Sequence, residues 1–356
     1  MRTFEVNCSK QYKVYYEKGL INRVKELLLN TFNGHNILII TDDNVDPLYY
    51  EIVSSQLKDD YAVSKIVLNH GEEAKNIDNL YQILTYLAQN QLKRNDLIIA
   101  LGGGVIGDIS GLSASLYMRG IEFVQIPTTL LSMVDASIGG KTAIDLPEGK
   151  NLVGSFYQPL MVICDPDIIR DLPKPIFNEG MAEVIKYNVI NENNIVEYIN
   201  NDQLSDKLDE VIEKCIEIKT SIVSKDEFEK TGLRKLLNAG HTFAHALENI
   251  SNYSISHGKA VGTGLVYETI LSNHLEYCDL DTVNQIAKAV KKFNLMLEFD
   301  YSFEDIVDHM TMDKKNDNNL ISFILPEKLG KCKEIMMKSS ELKDIFKQIG
   351  AYDEKD

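Results

Sequence analysis

Basic residues are in deficit: 37 lysines and arginines stand against 53 aspartates and glutamates in 356 residues, a formal net charge of −16. That balance argues against nucleic acid or an anionic membrane as a partner. An anionic small molecule would need a local basic lining set against a repulsive global field. Cysteine is scarce and dispersed as Cys8, Cys164, Cys215, Cys278 and Cys332. The number is odd and no C-x-x-C pair occurs, so neither a disulfide framework nor a thiolate zinc site is indicated. No apolar run is long enough for a bilayer. The start Met1-Arg2-Thr3-Phe4-Glu5-Val6-Asn7 has no apolar signal core, and a cytoplasmic protein is expected. Low-complexity segments and fixed-period repeats are also missing.

What is present is an ordinary globular composition, 44% hydrophobic and 25% charged, over a length that suits two domains. The first half alternates apolar runs with helical patterns. Asn36 to Asp42, Lys65 to Leu68, Asp96 to Leu101, Glu122 to Pro127 and Met161 to Asp165 read as strands. Asp78 to Asn90 has apolar residues at helical spacing. This alternation predicts an α/β domain built on a doubly wound parallel sheet over residues 1–165. From Asn178 to about Asn249, and again from Val261 to Phe293, apolar residues recur every three or four positions. Residues 166–356 are therefore expected to form a mostly α-helical domain, with a short strand pair near Leu320 to Leu325 and Cys332 to Met337. A cleft between the halves is the expected ligand site.

The third strand runs into Gly102-Gly103-Gly104-Val105-Ile106-Gly107-Asp108, which holds G-x-G-x-x-G between a strand and a helix. Glycines admit a pyrophosphate to backbone amides, and a helix start favours its charge; glycine clusters also make plain turns. The better ribose-binding acid, Asp42, ends an earlier strand, so a dinucleotide is expected across two strand ends. Gly71-Glu72-Glu73-Ala74-Lys75 follows the second strand and could join it. After the fourth strand, Thr128-Thr129, Ser132, Gly139-Gly140 and Lys141 suit phosphate contacts, with Lys150-Asn151 close in sequence.

In the helical half, Glu183 and Lys186 share a helix face. His241 and His245, four apart, could place two imidazoles on one metal, and His257 supplies a third histidine sixteen positions after His241. Glu183 with two histidines would make a three-ligand site with an open position, the catalytic type for zinc.

The motifs G-G-G-V-I-G-D, I-P-T-T-L-L-S-M-V-D-A-S-I-G-G-K-T, G-M-A-E-V-I-K-Y, L-N-A-G-H-T-F-A-H-A-L-E and S-H-G-K-A-V-G follow one another in an order and spacing that resemble the 3-dehydroquinate synthases, of the sugar-phosphate cyclase superfamily. The likeness runs from Asp42 to the Asp313-Lys314-Lys315 stretch. It implies NAD contacts from Asp42, Glu72, Lys75, Gly103, Gly104, Val105, Ile106, Gly107, Asp108, Thr128, Thr129, Asp135, Lys141 and Lys150, with Ile168, Ile169, Arg170 and Asp171. It also implies a divalent metal, zinc with cobalt as an alternative, on Glu183, His241 and His257. His245 is then released for substrate or proton transfer. Lys141, Asn151, Lys186, Asn238, Arg119 and one of Lys314 and Lys315 would hold phosphate and hydroxyls, and Lys225 and Arg234 the carboxylate. Asp135 joins this catalytic set. Ala239 and Ala244 depart from the family pattern, and Lys230 stands as an extra residue after Glu229.

By this resemblance the chain is a homodimeric, NAD- and metal-dependent carbon–oxygen lyase of aromatic amino-acid biosynthesis. It would convert 3-deoxy-D-arabino-heptulosonate 7-phosphate to 3-dehydroquinate and phosphate. The steps are transient oxidation by NAD, phosphate elimination, re-reduction, ring opening and aldol closure. Another cyclase of the superfamily, a metal-dependent polyol dehydrogenase and a non-catalytic NAD-binding regulator are the rival readings. Arg234 favours dehydroquinate over the other cyclases.

Overall fold

The computed structural model describes residues 1–29, 31–312 and 320–353. The first half forms a seven-stranded sheet, five strands of which its apolar runs foretold. In chain order its strands are β1 (Arg2–Val6), β2 (Tyr12–Tyr16), β3 (Asn36–Asp42), β4 (Ala62–Leu68), β5 (Leu97–Gly102), β6 (Glu122–Pro127) and β9 (Met161–Cys164). The spatial order is β1-β2-β9-β6-β5-β3-β4, parallel except for the edge pair β1 and β2. β3 and β5 are buried along almost their whole length, as strands covered by helices on both faces must be. One apolar layer packs Leu38, Ile40, Ile98 and Ala100 against the helices Ile77–Gln89 and Gly104–Leu116. The other packs Ile37, Ile39, Leu97, Ile99 and Ile126 beneath the helices of the opposite face.

Two local features were not read from the sequence. The edge pair β1 and β2 alternates buried and exposed residues. A hairpin of β7 (Lys141–Leu146) and β8 (Gly149–Phe156) follows β6. Most of β8 is exposed, so it carries no alternating apolar signal.

The helices of the second half include Lys174–Ile190, Leu204–Lys225, His241–Ile250 and His257–His274, with the hairpin of β10 (Leu320–Lys328) and β11 (Lys331–Lys338). The chain divides into two compact units, Met1–Pro173 with Lys219–Phe228, and Lys174–Ile218 with Glu229–Asp356. They differ from two contiguous stretches meeting at residue 165. The end of the helix Leu204–Lys225 and the turn after it belong to the first unit because polar contacts fix them there. Glu227 accepts from the Ser9 amide and hydroxyl (2.6 and 2.7 Å) and from Gln158 (2.9 Å). The Asn7 amide donates to Ser224 Oγ at 2.9 Å. Among the described residues, no helix is long and apolar enough to cross a membrane.

Candidate active site

In the first unit, the chain passes from β3 to β4 on one side and then returns to β5 on the other side of β3. That reversal makes the ends of β3 and β5 a topological switch point, the place where doubly wound sheets bind ligands. Asp42 ends β3 and Gly102 ends β5, so the two neighbouring strand ends carry the acid and the glycine turn. Asp42 is buried and accepts the amides of Asn44 and Val45, both at 3.0 Å. Burial nevertheless raises its carboxyl above the ordinary aspartate range. Gly103 caps the helix Gly104–Leu116, whose first residues include Val105, Ile106, Gly107 and Asp108. A Cβ on Gly104 would lie 3.3 Å from Ala136 and one on Gly103 would lie 3.2 Å from Thr129, so this turn sits tightly against the segment after β6. The Thr128 amide bonds the Gly102 carbonyl at 3.0 Å, and Thr129 and Ser132 bond each other.

Lys75 is the buried hub of this end of the sheet. Its Nζ lies 2.8 Å from Asp108, 2.5 Å from Asn151 Oδ1 and 3.5 Å from Glu72. Burial works against the charge, but Asp108 and Glu72 outweigh it and hold the ammonium above the ordinary lysine range. Asn151 takes a left-handed conformation (φ 56°), which asparagine tolerates. Lys141 and Lys150 belong to β7 and β8, and Asp135 to the turn Ser132–Ala136. Ile168 and Ile169 are buried in the short helix Asp167–Arg170, while Arg170 and Asp171 are exposed. Arg119 lies on an exposed turn with φ 65°.

Lys225 is exposed at the end of its helix. A lysine missed in the sequence stands two turns earlier: Lys219 is buried, with Nζ 2.8 Å from Asp135 Oδ1. A buried cation facing a motif acid is recognisable only once the helix is placed.

In the second unit, three helices meet at a set of ligand atoms. Glu183 is buried on Lys174–Ile190, His241 is the first residue of His241–Ile250, and His257 the first of His257–His274. One ligand atom from each lies within 4.8 Å of the others. The Nε2 atoms of His241 and His257 lie 3.5 and 3.4 Å from Glu183 Oε1. Their other ring nitrogens are engaged behind them: His241 Nδ1 with the Ala239 carbonyl (3.1 Å) and His257 Nδ1 with Glu248 (3.4 Å). Each imidazole is thus oriented so that Nε2 faces the shared carboxylate, the arrangement that metal-binding histidines require. Burial drives the His241 pKa down to about 3. Burial also opposes charge on His257, but hydrogen bonds to Glu183 and Glu248 override it and push that pKa up to about 10. Glu183 and Glu248 thus favour a positive charge at His257, while burial keeps His241 neutral. Two imidazoles and a carboxylate suit zinc-like divalent ions.

His245 is exposed, with its ring edge-on to His241 at 5.6 Å, and it is not part of this ligand cluster. Lys186 is buried and ion-paired with Glu183. Arg234 is also buried, its Nε 3.7 Å from Glu229, on the turn Leu233–Asn238 that ends in exposed Asn238. Lys314 and Lys315 lie outside the described residues.

Comparison with known proteins agrees with these motifs. A family model for the 3-dehydroquinate synthase N-terminal part matches residues 65–179, and one for the C-terminal part matches 180–316. The chain is 39% identical over 350 residues to a 3-dehydroquinate synthase of Clostridium kluyveri, covering 96% of this chain and 97% of the relative. It is 40% identical over 339 residues to that of Alkaliphilus metalliredigens, covering 93% and 94%. The fold resembles a 2-deoxy-scyllo-inosose synthase solved with carbaglucose-6-phosphate, NAD+ and Co2+ (TM-score 0.86, 24% identity, 98% and 99% coverage). It also resembles the 2-epi-5-epi-valiolone synthase of Streptomyces hygroscopicus subsp. jinggangensis 5008, solved with NAD+ and Zn2+ (0.85, 23%, 96% and 97%). Family models spanning most of the chain and relatives near 40% identity lead to one conclusion: the chain belongs to the 3-dehydroquinate synthase family and has that family's function.

Proposed function

We propose that the chain makes 3-dehydroquinate from 3-deoxy-D-arabino-heptulosonate 7-phosphate as a carbon–oxygen lyase that depends on NAD and on a divalent metal, zinc in preference to cobalt. The observation that carries this reading is the convergence of Glu183, His241 and His257, with both imidazoles held from behind. When bound, NAD supplies reversible hydride transfer and the metal supplies Lewis acidity toward the substrate oxygens.

The residues do the rest. Asp42 holds the ribose. Glu72, Gly103 to Asp108, Thr128, Thr129, Asp135, Lys141, Lys150 and Ile168 to Asp171 complete the dinucleotide contacts. Lys75 presses the glycine-turn helix and the β8 strand into one frame by bonding Asp108 and Asn151 together. Lys141, Asn151, Lys186, Asn238, Arg119 and a lysine of the Lys314-Lys315 pair receive phosphate and hydroxyls. Arg234 takes the substrate carboxylate. Lys219 joins it in preference to Lys225, because its buried ammonium is held toward Asp135 while Lys225 ends in solvent. His245, beside a ligand but outside the cluster, moves protons. These cations meet the need for a basic lining in a chain of net charge −16. The leaving phosphate acts as its own base, so no side chain is assigned to that step. The working form is a cytoplasmic homodimer.

The deciding experiment follows phosphate release from 3-deoxy-D-arabino-heptulosonate 7-phosphate, with and without a chelator. Metal-dependent release and 3-dehydroquinate formation are expected. Full activity after verified metal removal would overturn the metal assignment.

A further inference from the structure

We propose that Glu179 and Glu268 are positioning residues of the metal site, each fixing from a neighbouring helix the helix start that carries a histidine ligand. The proposal rests on the assignment of Glu183, His241 and His257 as ligands. Both histidines occupy the first position of a helix, and neither helix is capped by a side chain of its own N-cap residue. The amides of a helix start lack partners within the helix, and a loose first turn would let an imidazole there wander.

Carboxylates from other helices close both starts. Glu268, buried on His257–His274, accepts the Gly240 amide at 2.7 Å and the Phe243 amide at 3.1 Å, bracketing His241. Glu179, half-buried on Lys174–Ile190, accepts the Gly258 amide at 2.7 Å and the Ser256 hydroxyl at 2.6 Å, bracketing His257. A carboxylate on the positive end of a helix makes the stronger, charge-assisted kind of bond.

The glycines are shaped to this arrangement. A Cβ on Gly258 would lie 2.4 Å from the Glu179 carbonyl, and one on Gly264 would lie 2.0 Å from the Gly240 carbonyl. Gly240 has φ +79°. The contacts form a relay. The helix bearing Glu183 fixes the start of the helix bearing His257, which in turn fixes the start of the helix bearing His241. The three ligands are thereby held in mutual register before a metal arrives.

The test measures Zn2+ affinity by chelator competition, and the absorption spectrum with Co2+, in Glu179→Ala, Glu179→Gln, Glu268→Gln and His257→Ala. Circular dichroism and NAD affinity serve as folding controls. Glu179→Ala and Glu268→Gln should bind Zn2+ about 10–100-fold more weakly, the usual effect of removing a group that orients a metal ligand. Their Co2+ spectra should keep the wild-type shape, because all three ligands remain. Glu179→Gln, which retains an acceptor oxygen, should recover part of the loss. Wild-type affinity in a folded Glu179→Ala would overturn the proposal, and because Glu179 is half-buried this arm survives even if Glu268→Gln does not fold. If His257→Ala also binds Zn2+ like the wild type, the ligand assignment itself has failed.

Discussion

Lys219 and Asp135, 84 positions apart in sequence, form an ion pair within the first unit with Nζ 2.8 Å from Oδ1. The pair distinguishes two lysines of one helix. Lys219→Met should leave Asp135 without this partner and cost about 1.5–3 kcal/mol of stability, the scale of a charged hydrogen bond. It should also lower kcat/KM by more than tenfold, whereas Lys225→Ala should change neither quantity appreciably, as expected for an exposed residue. Urea unfolding and steady-state kinetics on both variants check this. Equal losses from the two substitutions would contradict the assignment of Lys219.

The histidines should separate by metal content. His257→Ala is expected to purify metal-poor, with partial recovery of activity on adding metal. His245→Ala should keep near-stoichiometric metal and turn over about 10²–10⁴-fold more slowly, the usual range for a lost acid–base group. Metal analysis of both proteins, with folding checked independently, decides it. A metal-replete His257→Ala beside a metal-depleted His245→Ala would return the helical pair to the metal.

Hydride balance separates the synthase from a dehydrogenase. In the proposed reaction oxidation is reversed within the cycle, so catalytic NAD should sustain many turnovers and no NADH should build up. Absorbance followed alongside phosphate release measures this directly. One NADH formed per phosphate released would reject the cycle.

The metal-free protein should show a signed pH response. His257, raised to about 10 from an ordinary 6.5, keeps a proton that the unfolded chain has lost between those values. Its contribution to stability is therefore whole below pH 6.5 and falls as pH rises toward 10. His241, lowered to about 3, acts on the other side and removes stability as pH falls from 6.5. Urea midpoints of chelator-treated protein should drop between pH 7 and 9, and the drop should shrink in His257→Gln. Metal uptake at pH 7.5 should release protons into a weakly buffered solution.

Arg119 tests the dimer. If it serves the neighbouring subunit's site, mixing Arg119→Ala with Lys186→Ala should restore some activity, since some mixed dimers regain one complete site. No recovery despite proven subunit exchange would count against a role across the interface.

The apolar runs of β3, β5, β6 and β9 were legible in the sequence because a strand buried on both faces is apolar along most of its length, and that pattern is local. The glycine turn after β5 was legible for the same reason, its meaning residing in consecutive residues. Pairing the histidines was not local. The spacing of His241 and His245 suggests partners on one helix, with His257 a third candidate, and only the family resemblance chose His257 over His245. The helix buries Phe243, Ala244, Ala246 and Leu247, which turns His245 outward. His257 reaches Glu183 because a separate helix packs there. Lys219 was overlooked beside Lys225 because the two look alike until the helix end packs within the first unit and buries one of them. Sequence by itself determined the buried strands, the helical half and most of the ligands, cations and glycines. Tertiary structure decided which of them face one another, because side-chain direction depends on long-range packing that no local pattern encodes.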